Sequence, residues 1–146
     1  MADAGPGGPV CYHGGVAASH DACLRALAEL ARRQTGLRLL VLFGSRVRQD
    51  ARADSDWDLG YLGTPSLDPS GLLGGLVGVL GTDRVDLVDL DRAGAQLRFR
   101  VAREGRPVYA ADEAAFPRFW TEAVSFWCDA GPIIRAGYAD VLAGLG

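Results

Sequence analysis

The chain contains no lysine; all 15 of its permanent cations are arginine. That absence excludes several chemistries together, because a P-loop, a kinase-type ATP lysine and a Schiff-base nucleophile each need the lysine amine. Cysteine is scarce as well. Cys11, Cys23 and Cys128 are odd in number and irregular in spacing, which argues against a disulfide framework and predicts reduced thiols. Cys11-x-His13 and His20-x-x-Cys23 offer the thiolate and imidazole donors that zinc takes. Such short-spaced pairs in a glycine-rich stretch also arise without metal, and His13 and His20 are expected to be plain surface residues. No apolar run reaches the ~20 residues needed to span a bilayer. The start, MADAGPGGPVCYHGG, lacks the basic region and continuous apolar core of a signal peptide. The expected location is therefore cytoplasmic, without membrane. Excess positive charge is missing too: a net charge of −3 gives no general attraction to nucleic acid, so long RNA or DNA is not expected as a direct partner.

What is present fits a single globular domain: 146 residues, about half apolar and about a quarter charged. Residues 1–18 are rich in Gly, Pro and Ala without a period and read as a flexible N-terminal arm, leaving 19–146 as the domain. Ser19 can cap a helix with Leu24, Leu27, Leu30 and Ala31 on one face, which Gly36 ends. Leu37 to Phe43, a nearly unbroken apolar run, suits a strand buried on both faces. Residues 46–55 suggest a short helix and loop, Trp57 to Leu62 a second strand, and 64–70 a loop. Gly71 to Leu80 reads as a helix despite its glycines, and Arg84 to Leu90 as a third strand. A helix over 93–104 stops at Gly105, and 107–110 fits an edge strand, where Pro107 is tolerated. The tail, 112–145, is helical in pattern, with Phe116, Phe119, Trp120, Val124 and Trp127 as core and partner interface, and Pro132 as a kink.

The chemistry begins where the first strand ends. Phe43-Gly44-Ser45 is followed, about ten residues on, by Asp56-Trp57-Asp58. Side chains at i and i+2 of a strand share a face about 6.5 Å apart, so Asp56 and Asp58 can converge on one cation. Hard divalent ions such as magnesium take one or two carboxylates together with phosphates and water. In RVDLVDL, alternation puts Asp86, Val88 and Leu90 on one face and Val85, Leu87 and Asp89 on the other, so only one of these acids can join the pair. Asp86 is favoured, because it lies near the strand start and its face is otherwise apolar; Asp89 is expected to meet solvent or a helix end. Gly44 lets the backbone approach a phosphate, with Ser45 and the N–H groups that follow as donors. Arg46 and Arg48 are candidates to add paired bonds to the same group.

Gly-Ser, about ten residues, Asp-x-Asp and a later Asp together resemble the signature of the nucleotidyltransferase superfamily related to DNA polymerase β. More narrowly, FGSRVRQDARADSDWDLGYL, DRVDLVDL and the tail FWTEAVSFWCDAGPIIRAGYADVL are similar to minimal nucleotidyltransferase (MNT) antitoxins of HEPN/MNT toxin–antitoxin systems, over roughly residues 20–143. Two positions depart from that pattern: Trp57 stands where a small aliphatic residue is usual, and Gln49 where glycine is common. Trp57 is expected to point away from the acids. The resemblance implies an α/β polymerase β-like fold, with a small mixed sheet flanked by helices and a helical C-terminal tail. It implies catalytic and metal-binding roles for Asp56, Asp58 and Asp86 with two Mg2+, and nucleotide binding by Gly44, Ser45, Arg46 and Arg48. It further implies ATP as substrate, and transfer of AMP to a tyrosine of a cognate HEPN ribonuclease toxin bound in a hetero-oligomer. Two rival readings stand beside this one. A small-molecule, aminoglycoside-type transferase usually needs an extra domain that this length hardly accommodates. A non-catalytic antitoxin would act by steric occlusion, which an intact acid triad speaks against.

Overall fold

The computed structural model describes residues 20–48 and 55–129. In chain order these form α1 (His20–Arg32), β1 (Leu37–Phe43), α2 (Ser45–Arg48), β2 (Trp57–Gly63), α3 (Pro69–Leu80), β3 (Val85–Asp89), α4 (Ala95–Glu104) and β4 (Arg106–Ala110). A final helix, α5, covers 115–129. The N-terminal arm 1–18, Gln49, and the tail beyond 129 with its Pro132 kink lie outside the described residues.

The four strands make one mixed sheet in the order β3-β2-β1-β4. β1 pairs antiparallel with β2 and with β4, and β2 pairs parallel with β3. The apolar run of β1 thus sits in the middle, buried along its length except at Arg38. Pro107 lies in β4, at the sheet edge expected for it. Alternation along the strands divides the core between two faces. Leu40 and Leu42 of β1 with Trp57, Leu59 and Tyr61 of β2 pack against Cys23, Leu27, Leu30 and Ala31 of α1 and Leu72, Leu76 and Leu80 of α3. On the other face Leu39, Val41, Phe43, Leu62 and Leu90 meet Val101 and Ala102 of α4 and Ala115, Phe119 and Ala123 of α5.

α3 forms despite four glycines because Leu72, Leu76 and Leu80 recur every four residues and are fully buried. Burying each leucine contributes about 1.5–3 kcal/mol, which outweighs a cost of roughly 1 kcal/mol per glycine. At Gly75 a side chain would press on Leu30 at 2.9 Å, so the glycine sets how closely α3 approaches α1. Asp112 starts α5: its carboxylate accepts hydrogen bonds from Arg118 at 3.1 Å and from the Ala114 N–H at 2.8 Å, which in that order hold it below the usual carboxylate range. α5 then buries Phe119 and exposes Trp120 and Phe126.

In α1, Leu24 packs against the core as expected, with Cys23 fully buried beside it. Two expectations about this helix are corrected. Cys23 is disulfide-bonded rather than a reduced thiol. An odd cysteine count forbids a full framework, not a single bridge. A bonded Cys23 sulfur is no thiolate ligand, and the Cys11 and His13 pair lies outside the described residues. His20 is not a plain surface residue: its ring stacks on Trp57, centroids 6.3 Å apart and planes 11° from parallel. Among the described residues no helix is long and apolar enough to cross a membrane.

Candidate functional site

Three segments meet at the end of the sheet where β1 runs out. Phe43, the last residue of β1, is the register partner of Asp58 on β2, and Asp58 is the register partner of Asp86 on β3. Asp58 and Asp86 therefore stand side by side on adjacent parallel strands, on the face that carries Val88 and Leu90 toward α4 and α5. Asp89 lies on the other alternation. Its carboxylate accepts the Asp91 N–H at 3.0 Å and lies 3.8 Å from Arg92, closing the turn after the strand.

Gly44 follows Phe43 with φ +80°, a conformation L side chains rarely adopt. A Cβ at Gly44 would also collide with the Asp58 carboxylate, so glycine is required by backbone and by space. The Gly44 carbonyl then accepts the N–H groups of Val47 and Arg48, closing the single turn of α2 and leaving Ser45, half-buried, at its start.

The carboxylate of Asp58 is half-buried and held above the ordinary carboxylate range, first by loss of hydration and then by the charges of Asp86 and Asp56. Arg100 and Arg48 pull in the opposite direction. Asp56 sits one residue before β2, exposed, with Arg84 3.8 Å from its carboxylate. Among the described residues no three acids, histidines or cysteines converge closely enough to enclose an ion by themselves. The built part of the site is the Asp58–Asp86 pair, with Asp56 at its margin.

The two arginines of α2 separate. Two positions apart on a helix is about 200° of rotation. Arg46 turns to the α1 side, with its guanidinium 4.4 Å from the Trp57 ring centroid and 2.7 Å from the Ser55 carbonyl. Trp57 itself is buried, facing away from the acids as its strand position requires. Arg48 turns to the α4 side, 3.5 Å from Glu104. Arg100 of α4 was not singled out from sequence. Its guanidinium lies 5.9 Å from the Phe43 ring centroid and 3.7 Å from Glu104, beside the acid pair. The alternating arginines of RFRVARE were the one available signal, and nothing local says which of them meets the sheet end.

The family described as Polymerase beta, Nucleotidyltransferase matches residues 25–114, which include every one of these groups. The protein adenylyltransferase MntA of Aphanizomenon flos-aquae is 30% identical over 95 residues, covering 57% of this chain and 63% of the relative, so the match spans less than two thirds of that protein's length. Among solved structures, a chain from a toxin–antitoxin with AMP-PNP superposes with a TM-score of 0.71 at 27% identity, covering 82% of this chain and 98% of the other. A chain from the complex of tri-AMPylated Shewanella oneidensis HEPN toxin with MNT antitoxin gives 0.68 at 26% identity, covering 85% and 99%.

Proposed function

Because the chain belongs to the polymerase β nucleotidyltransferase family, we propose that it is a protein adenylyltransferase that moves AMP from ATP to a tyrosine of a HEPN toxin, in the cytoplasm and in complex with that toxin. The observation that carries this reading is the pair Asp58 and Asp86, in register on parallel strands with Gly44 closed against Asp58. Asp58, half-buried, lies beside the exposed Asp86, and like charges so placed repel until a cation is seated between them. The donors suit magnesium: hard carboxylate oxygens on Asp58 and Asp86, with Asp56, two residues before Asp58, held 3.8 Å from Arg84 at the margin. Bound there, magnesium would supply neutralising charge for the triphosphate.

The chain's own groups would do the rest. Ser45 and the backbone around Gly44 donate to phosphate oxygens, and Arg48 adds a charged donor on the acid side. Arg46, turned to Trp57, braces the approach to β2 instead. Asp86 accepts the proton of the tyrosine hydroxyl as its oxygen forms a bond to the α-phosphorus. The bond from the α-phosphorus to the bridging oxygen breaks and pyrophosphate leaves. Catalysis of this kind is mostly positioning and charge stabilisation. The MntA relative and the AMP-PNP and AMPylated-toxin structures support the nucleotide, the reaction and the partner class.

The test is dosage. With ATP and magnesium, a small amount of the protein is expected to inactivate an excess of HEPN partner and leave adducts of AMP mass on a partner tyrosine, and Asp58→Ala is expected to do neither. Equal protection by wild type and Asp58→Ala, at one-to-one mixing and without ATP, would mean steric inhibition instead.

A further inference from the structure

Glu104, at the end of α4, is shared by two arginines from different elements. Its Oε1 lies 3.5 Å from Arg48 of α2 and 3.7 Å from Nε of Arg100, one turn earlier on α4. That oxygen is shielded from solvent and has no hydrogen-bond partner. Both guanidinium groups are therefore held at ion-pair distance from one carboxylate oxygen, and the Arg100 contact lacks the short paired bonds of a bidentate guanidinium–carboxylate pair. Arg100 also lies over Phe43, which is the register partner of Asp58 and precedes the Gly44 turn. Its charge, like that of Arg48, acts on Asp58.

A nucleoside triphosphate beside two carboxylates needs fixed positive charge on its far phosphates, and this chain has no lysine to give it. Building on the nucleotide-transfer reading above, we propose that Arg100 binds the β- and γ-phosphates of the incoming nucleotide, with Glu104 as the positioning residue that keeps Arg100 and Arg48 together as one clasp. Arg100 meets Glu104 through Nε, a contact that does not use its two terminal nitrogens, the pair that suits a phosphate edge. Charge grows on the pyrophosphate as it leaves, so the clasp assists departure as well as binding.

The experiment uses the full chain and three probes: magnesium AMP-PNP, magnesium pyrophosphate and Mn2+ alone. Arg100→Ala is expected to weaken AMP-PNP and pyrophosphate roughly 10- to 100-fold, the equivalent of one charge-assisted hydrogen bond, while Mn2+ affinity is kept because the acids are untouched. Arg100→Lys should recover part of the loss, and Glu104→Gln should show a smaller loss in the same direction. Unchanged AMP-PNP affinity in Arg100→Ala, or Mn2+ affinity lost in step with it, would overturn the proposal, the second by showing a structural brace. If Arg100→Ala does not fold, Arg100→Gln carries the same comparison. Wild-type protein that fails to bind magnesium AMP-PNP sinks this and the transferase reading together. Wild-type protein that transfers AMP, alongside an Arg100→Ala variant that transfers it equally well, sinks this alone.

Discussion

Replacing Asp58 by Asn should make the metal-free protein more stable while destroying its activity. Asp58 and Asp86 are register partners on neighbouring strands, so their charges are about 5 Å apart. At that distance two unit charges repel by roughly 0.8 kcal/mol in water and about 3 kcal/mol at an effective dielectric of 20. Asp58 is half-buried, and Arg100 and Arg48 offset part of the repulsion. The net gain on neutralising it is therefore on the order of 1 kcal/mol, or roughly 3 °C in Tm for a domain of this size. The pH dependence has a definite sign. The folded pKa of Asp58 is raised above its ordinary 3.8, so the protonated form is favoured in the folded state and its stabilisation is lost as pH rises through the folded pKa. The advantage of Asp58→Asn should accordingly be absent below about pH 3.8 and full at neutral pH. Scanning calorimetry in EDTA across that range measures it, and the same scans with magnesium should raise the Tm of wild type but not of the variant. Transfer of labelled AMP should fall by roughly 100-fold or more. A lower neutral-pH Tm for metal-free Asp58→Asn, or magnesium stabilisation that survives the substitution, would refute the reasoning that Asp58 is a repelled ligand waiting for a cation.

The choice between the two β3 acids can be tested directly: Asp86→Asn should slow transfer by about 10²–10⁴-fold with less effect on AMP-PNP binding, whereas Asp89→Asn, which keeps the turn contact to Asp91, should transfer at close to the wild-type rate. The reverse order in a kcat and KM comparison would place the chemistry on the other face of the strand. Gly44→Ala should lower stability by about 1–3 kcal/mol through its strained backbone and cut transfer by displacing the Asp58 carboxylate; urea unfolding within error of wild type would show that the turn is not under that constraint.

Much of the fold was legible because it rests on local period. The apolar run of β1, the alternation in β2 and β3 and the leucine spacing of α3 each encode their element and buried face within a few residues. Alternation also put Asp86 on the Val88 and Leu90 face before any neighbour was known, and Trp57 on the face opposite Asp58. What lay between distant segments was not legible. That β3 runs parallel to β2 with Asp86 level with Asp58 depends on the path of α3. The division of labour between Arg46 and Arg48 depends on what stands on each side of α2, Trp57 on one and Glu104 on the other. His20 on Trp57 and Arg100 beside the acids are likewise meetings of residues far apart in the chain. The sequence by itself determined which residue types occur at which period, and so the elements, their buried faces and the candidate acids. Only the tertiary structure decided which charges face one another, because electrostatic coupling falls with distance in space and is indifferent to distance along the chain.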